Sequence, residues 1–256
     1  MTSQFGLDRR RMLSGLAFGL GGAMVAACSG RAGAQQQGTM RCRATPPETR
    51  GPFPADGSNG RPRPVNALAM DGIVRRDLRE SFAGMSGRAD GVPIELELLL
   101  ASEVSCERRS DLAVYLWQND AAGAYSLYDL PQQNYLRGLQ GADAEGRVRF
   151  TAILPGCYGG RYPHCHFEVF AGIDAALRGE APLLVSQLAF PEGACREVYG
   201  SDARYGASLA NLERQPLARD FVFRDLDPEG MTSQLLRLEG DPARGYSGTA
   251  TVALPA

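Results

Sequence analysis

Hydrophobic period limits what this chain can fold into more tightly than composition does. Ile94, Leu96 and Leu98 alternate with Glu95 and Glu97, the two-residue period of a strand with one face buried. Val148, Phe150 and Ala152 alternate in the same way with Arg147, Arg149 and Thr151, after a turn at 143–146. Residues 112–117 form a continuous apolar run, consistent with a strand buried on both faces. Residues 164–170, 183–190 and 248–254 read as further strands, and helical candidates are confined to 172–178 and 205–212. Turn signals are frequent, from 31 glycines and 16 prolines. Short strands bounded by turns predict an all-β fold, an antiparallel β-sandwich with few short helices. A chain of 256 residues has room for one such domain plus extensions.

The extensions fall at the N-terminus. Arg9, Arg10 and Arg11 precede an apolar run of small residues over 16–27, as in twin-arginine export signals. That run is too short for a comfortable membrane span. It ends in Val25-Ala26-Ala27-Cys28, which resembles a lipobox in which a lipidated Cys28 would attach the protein to a membrane. The alternative is cleavage after Ala32-Gly33-Ala34, which would release a soluble protein. The expected destination is the periplasm or cell envelope as a lipoprotein, with secretion as the alternative. The expected organisation is a signal segment over 1–28, a flexible tether and lead-in arm over 29–63, and a β-sandwich domain over 64–256.

An exported chain can form disulfides. With Cys28 lipidated, Cys42, Cys106, Cys157, Cys165 and Cys195 remain, an odd number that leaves at least one unpaired within the chain. No CxxC pair occurs among them, which argues against structural zinc. A formal charge of −2 gives no reason to expect a nucleic-acid partner. Every basic residue is arginine, so lysine Schiff-base chemistry is excluded.

The chain has only two histidines, His164 and His166. At i and i+2 on a strand, both imidazoles project from one face, within reach of a single metal ion. Cys165 and Phe167 then point the opposite way, into the core. Two histidines exclude a three-histidine zinc site, and the three-histidine-plus-glutamate site of cupin-type barrels, within one chain. A triad of two histidines and a carboxylate, from Glu168 or a remote Asp, stays open. Two tyrosines stand nearby in sequence, Tyr125 beyond the 112–117 run and Tyr158 after Pro155-Gly156-Cys157. On residue type alone Tyr125 is equally an aromatic at a strand end, and Tyr128 or Tyr162 could be the metal's neighbour instead. Trp117 reads as core and Arg161 as a solvated loop charge.

The segments VYLWQNDAAGAYS (114–126) and ILPGCYGGRYPHCHF (153–167) resemble the two iron-binding signatures of the intradiol ring-cleavage dioxygenases, the family of the protocatechuate and catechol dioxygenases. PPETRGPF from Pro46, RRDLRE from Arg75 and VSQLAF ending at Phe190 extend the resemblance, in consistent order, over about residues 42 to 254. The resemblance implies a β-sandwich of the intradiol dioxygenase type. It implies a non-haem Fe(III) held by Tyr125, Tyr158, His164 and His166, with Tyr158 the ligand that leaves when substrate arrives. Arg161 would stabilise negative charge on the substrate, and Gln187 would be a pocket glutamine. The implied reaction inserts O2 into a catechol-like aromatic diol and cleaves between the two hydroxylated carbons, giving a muconate-type dicarboxylate.

The residue types suit that chemistry. A phenol of pKa about 10 binds as phenolate only beside a strongly charged ion, and two hard phenolate oxygens favour Fe(III). No GxGxxG fingerprint follows a strand, so neither nicotinamide nor flavin is expected. Departures from the family pattern bear on which catechol is used. Pro54 stands where the GPF element usually continues with a tyrosine, and Cys165 replaces an aliphatic residue between the histidines. The short loop between Tyr158 and His164 is closer to compact secreted members. The long helical N-terminal segment with which catechol dioxygenases dimerise is not expected, which leaves oligomerisation open. The competing expectation is a non-catalytic β-sandwich binding module displayed on the envelope.

Overall fold

The computed structural model describes residues 42–58 and 65–255, and its strands form two four-stranded sheets. The expected export signal, Cys28 and the expected tether as far as residue 41 lie outside the described residues, as do 59–64. One sheet contains β1 (Pro93–Ser102), β4 (Arg147–Ile153), β7 (Arg237–Asp241) and β8 (Gly245–Leu254), in the order β4-β1-β8-β7. The other contains β2 (Ala113–Trp117), β3 (Arg137–Gly141), β5 (His164–Phe170) and β6 (Leu184–Ala189), in the order β3-β2-β5-β6. The sequence predicted antiparallel pairing throughout. The structure departs from this once: β1 runs parallel to β8, with Ile94 opposite Tyr246 and Leu100 opposite Val252. Local period reports which face of a strand is buried, not the direction of a partner that arrives at the far end of the chain.

Ile94, Leu96 and Leu98 of β1 and Val148 and Phe150 of β4 are buried with Val114, Leu116, Cys165, Phe167 and Val169 of the other sheet in one apolar core. Each such side chain contributes about 1.5–3 kcal/mol on leaving water. A one-residue slip of β1 would turn Glu95 and Glu97 inward instead, so this face fixes the register.

Strands β2 and β5 are buried on both faces because a second apolar cluster covers the far side of their sheet. It joins Tyr115, Trp117, Tyr125 and Leu139 to Ala55, Leu68 and Ile73 of the N-terminal region and to Ala175 and Ala176 of α1 (Ile173–Leu177). Trp117 therefore does pack in a core, though in this outer cluster and not between the sheets. Helix α1 falls within the predicted 172–178. Sequence period missed α2 (Glu192–Ser201), whose buried stripe is only Cys195, Val198 and Tyr199. The predicted 205–212 helix is α3 (Ser208–Arg214), and α4 (Pro228–Gln234) was not foreseen.

Residues 42–58 are irregular but tied to both sheets. A disulfide joins Cys42 to Cys106, and the Thr45 amide donates to Ala253 of β8 at 2.8 Å. The Glu48 amide donates to Val185 of β6 at 2.8 Å, and the Ser186 hydroxyl donates to the Pro46 carbonyl at 2.7 Å. The arm thus reaches the outer face of the second sheet, where the histidines lie. Cys157, Cys165 and Cys195 are buried free thiols.

Candidate metal centre

His164 and His166 of β5 turn their Nε2 atoms towards each other at 3.0 Å. Cys165 between them points into the inter-sheet core, as strand alternation requires. The ring of His164 is oriented by a hydrogen bond, Nδ1–H to the Tyr162 carbonyl at 2.5 Å, which leaves Nε2 as the unprotonated nitrogen. Among the described residues His166 has no such partner on Nδ1. Packing holds it instead: Trp117 lies parallel to it at 5.0 Å, and Gly51 of the arm closes its edge. A Cβ at Gly51 would sit 3.2 Å from His166 Cε1, on a backbone whose φ of 67° already favours glycine.

The two tyrosines arrive on loops that brace one another. Beyond β2, the Asp120 carboxylate accepts the amides of Ala122 and Ala124 at 2.9 Å each, and the Asp129 carboxylate accepts the Tyr125 amide at 2.8 Å. The Pro155–Tyr158 segment lies against this loop: the Gly156 amide donates to the Asp120 carbonyl and Asn119 Nδ2 to the Gly156 carbonyl, both at 2.9 Å. A Cβ at Gly156 would be 2.4 Å from the Ala121 carbonyl, so the approach requires glycine. Buried Arg137 also clamps the assembly, donating to the carbonyls of Phe53, Pro54 and Ser126 at 2.9–3.0 Å.

The result is a closed circuit of four rings. Centroids of Tyr125 and Tyr158 are 5.8 Å apart, Tyr158 and His164 5.9 Å, His164 and His166 4.6 Å, and His166 and Tyr125 6.3 Å. The Tyr125 hydroxyl is 3.3 Å from His166 Nε2. All but Tyr158 are buried; Tyr158 is half-buried and is followed by the exposed Gly159 and Gly160. All four sequence-predicted ligands therefore share one place.

Burial, reinforced by the charge of Arg161, lowers the His164 pKa to about 3, and burial beside His164 holds His166 well below its usual value. Both imidazoles are thus neutral donors at ordinary pH. Burial pushes the Tyr125 hydroxyl well above its usual pKa, and Tyr158 adds to the effect. Burial raises Tyr158 too, partly offset by Tyr125 and Arg161. Phenols so disposed ionise only beside a strong cation, and the donor set of two hard oxygens and two imidazoles fits a trivalent one. Two nitrogens bonded to one ion at about 2.1 Å and at right angles would be about 3.0 Å apart, the separation found. Among the described residues no three His, Cys, Asp or Glu side chains gather as a metal site. Glu168 is not a third ligand beside the histidines: it is ion-paired with Arg50 of the arm at 2.5 Å.

Arg161 is buried beside the histidines rather than solvated, with Nη1 3.2 Å from His164 Nε2. Gln187 of β6 bridges, accepting from Arg161 Nη2 at 2.6 Å and donating to the Thr49 carbonyl at 2.8 Å. Sequence reasoning missed Asp220, which pairs with Arg161 Nε at 2.9 Å, and Phe221, whose exposed ring covers the guanidinium at 4.8 Å. It also missed Arg137 and the edge contact of Gly51. No local pattern marks any of them.

No family model and no curated protein matches the chain. Solved structures do. An intradiol ring-cleavage dioxygenase from Tetranychus urticae is similar at 19% identity with a TM-score of 0.63, over 84% of this chain and 95% of that one. The dioxygenase domain of a dioxygenase–carbohydrate-binding fusion from Streptomyces sp. SirexAA-E is similar at 23% identity with a TM-score of 0.52, over 84% of this chain and 99% of that one. The chain has the intradiol dioxygenase fold. In this version of the fold the four-ring circuit lies on the outer face of the second sheet, beneath residues 49–53 of the arm and beside Phe221.

Proposed function

We propose that this chain is a non-haem ferric intradiol dioxygenase acting on a catechol-like aromatic diol and O2. The observation that carries the reading is the convergence of two phenols with two imidazole Nε2 atoms 3.0 Å apart, in a chain with the intradiol dioxygenase fold. Tyr125, Tyr158, His164 and His166 would hold the iron. When bound, ferric iron supplies the charge that keeps the phenols deprotonated and draws electron density from a bound catecholate, opening a ring carbon to O2.

The chain's own residues do the rest. His164 offers Nε2 because its Nδ1–H is committed to the Tyr162 carbonyl. Tyr158 is the least buried of the four and has exposed glycines after it. It is the phenol free to swing away and take up a proton from the incoming diol at its hydroxyl oxygen. Arg161 presents Nη1 beside His164 as a charged donor to an anionic substrate oxygen. Buried Trp117, stacked on His166, and Tyr115, stacked on Trp117 in turn, close off the protein side of the site. Cleavage between the hydroxylated carbons would give a muconate-type dicarboxylate.

Export belongs to the same proposal: the Arg9–Arg11 signal and the Cys28 lipobox would put the domain in the envelope, and the Cys42–Cys106 disulfide supports an oxidising compartment. The test is oxygen uptake by the purified mature protein over a panel of catechols, with product identification and metal analysis. The expected result is about one iron per chain, the colour of ferric phenolate and an intradiol dicarboxylate. Extradiol products, or no uptake across the panel at full iron loading, overturn it.

A further inference from the structure

We infer that Asp220 is a positioning residue for Arg161, holding the guanidinium so that one edge, Nη1, faces the metal centre. The inference rests on the dioxygenase reading above for the meaning of that edge. Asp220 is fully buried and lies 59 residues beyond Arg161 in the chain. One carboxylate oxygen, Oδ2, accepts Arg161 Nε–H at 2.9 Å and the Tyr162 amide at 2.7 Å. The other, Oδ1, accepts the Val222 amide at 2.9 Å and a longer contact from Arg161 Nη2 at 3.4 Å. Gln187 takes Nη2 from the opposite side at 2.6 Å. Phe221, the next residue after Asp220, lies over the guanidinium plane.

A guanidinium has five N–H donors in a rigid planar fork. With Nε and Nη2 held by Asp220 and Gln187, and one face under Phe221, the orientation is fixed and only Nη1 remains to serve the site, 3.2 Å from His164 Nε2. Because Asp220 is anchored to two backbone amides, it is a rigid reference against which a flexible side chain is aligned. The same carboxylate also holds the Tyr162 amide, in the loop that carries Tyr158 to His164. A purely structural role for Asp220 as a lock on that loop is therefore the competing account, and the experiment has to separate the two.

The test compares Asp220→Asn, Arg161→Ala and the double variant in the iron-loaded full protein, reading kcat, KM, iron content and the visible band. Asp220→Asn keeps the volume and one acceptor. The expected loss in kcat is about 10–100-fold, the range seen when an outer partner of a catalytic group is removed, with iron content and colour unchanged. Combined with Arg161→Ala it should cost nothing further, because Asp220 acts through that side chain. Losses that multiply, or a kcat equal to the parent's, overturn the inference, as does a loss of iron that accounts for the whole effect.

A second readout needs neither iron nor turnover. In the metal-free protein the Arg161 Nε–H resonance, identified by its disappearance in Arg161→Lys, should exchange slowly with water and become fast in Asp220→Asn. Fast exchange in the parent overturns the inference. A parent that cleaves no catechol at full iron loading defeats the dioxygenase reading instead, while this resonance still reports whether Asp220 holds Arg161.

Discussion

Trp117 lies flat on His166, with 3° between the ring planes and 5.0 Å between their centroids. This face-to-face contact takes the place of the hydrogen bond that orients His164, since among the described residues His166 Nδ1 has no partner. The two histidines of one strand are therefore held by different forces, one by a carbonyl and the other by packing.

Trimming that packing should loosen the metal. Trp117→Leu is expected to weaken iron retention by about tenfold, whereas Trp117→Phe, which keeps a stacked ring, should retain most of it. Gly51→Ala acts from the other edge, combining a left-handed backbone cost of about 1–2 kcal/mol with pressure on His166. Residual iron after dialysis against a graded chelator series measures both.

The two tyrosines should fail differently. Tyr125 is buried and braced by Asp129, so Tyr125→Phe removes a fixed donor and should abolish stable iron binding. Tyr158 is half-buried and followed by exposed glycines, so Tyr158→Phe should keep much of the iron, shift the visible band and cut turnover by about 100-fold or more. Chelation of the parent should bleach the colour and stop oxygen uptake together, both returning with ferric but not zinc ions.

Stability should weaken in acid partly through Asp220. Burial alone would raise its carboxyl pKa, but the Arg161 guanidinium and two backbone amides outweigh that and hold it below the usual 3.8. The unfolded chain therefore binds the proton first as pH falls. The stabilisation is complete above about pH 4 and disappears as pH drops through the lower folded value. Thermal melting from pH 6 to pH 2.5 should fall less steeply for Asp220→Asn than for the parent. Equal slopes would show that the pairing has no effect on the pKa.

The Cys42–Cys106 disulfide closes a loop of sequence separation 64. Loop-closure entropy for that length corresponds to about 4 kcal/mol, so a Cys42→Ser/Cys106→Ser double variant should melt well below the parent. The same bond anchors the arm that carries Thr49, Arg50 and Gly51 to the site, so reduction should also lower iron retention.

What the sequence made legible follows the range of its physical signals. The shared face of His164 and His166 is a two-residue matter, and alternation alone placed it. Tyr125 and Tyr158 sit on loops with no period, where Gly156 and the Asp120 carboxylate decide the geometry; only the resemblance of whole segments marked them. Asp220 and Arg137 could not be found by either route, since the partners that tie them to the site, Arg161 for one and Phe53 and Pro54 for the other, are far away in the chain and no local pattern links them. Among the strands, β3 and β7 were missed because Gly138, Gly141 and Gly240 interrupt any alternation, and β7 presents mostly exposed residues. The antiparallel expectation failed at β1 and β8, where a partner's direction is a property of the whole topology.

That parallel pair has a consequence for synthesis. Strand β8 lies between β1 and β7, so β1 waits for a strand made much later, and Thr45 of the arm waits for Ala253. A ribosome must deliver the chain through Leu254 before the sheet can close. Any message truncated ahead of Gly245 would yield a product with one flank of β1 open to other chains, a template for aggregation rather than a shortened enzyme.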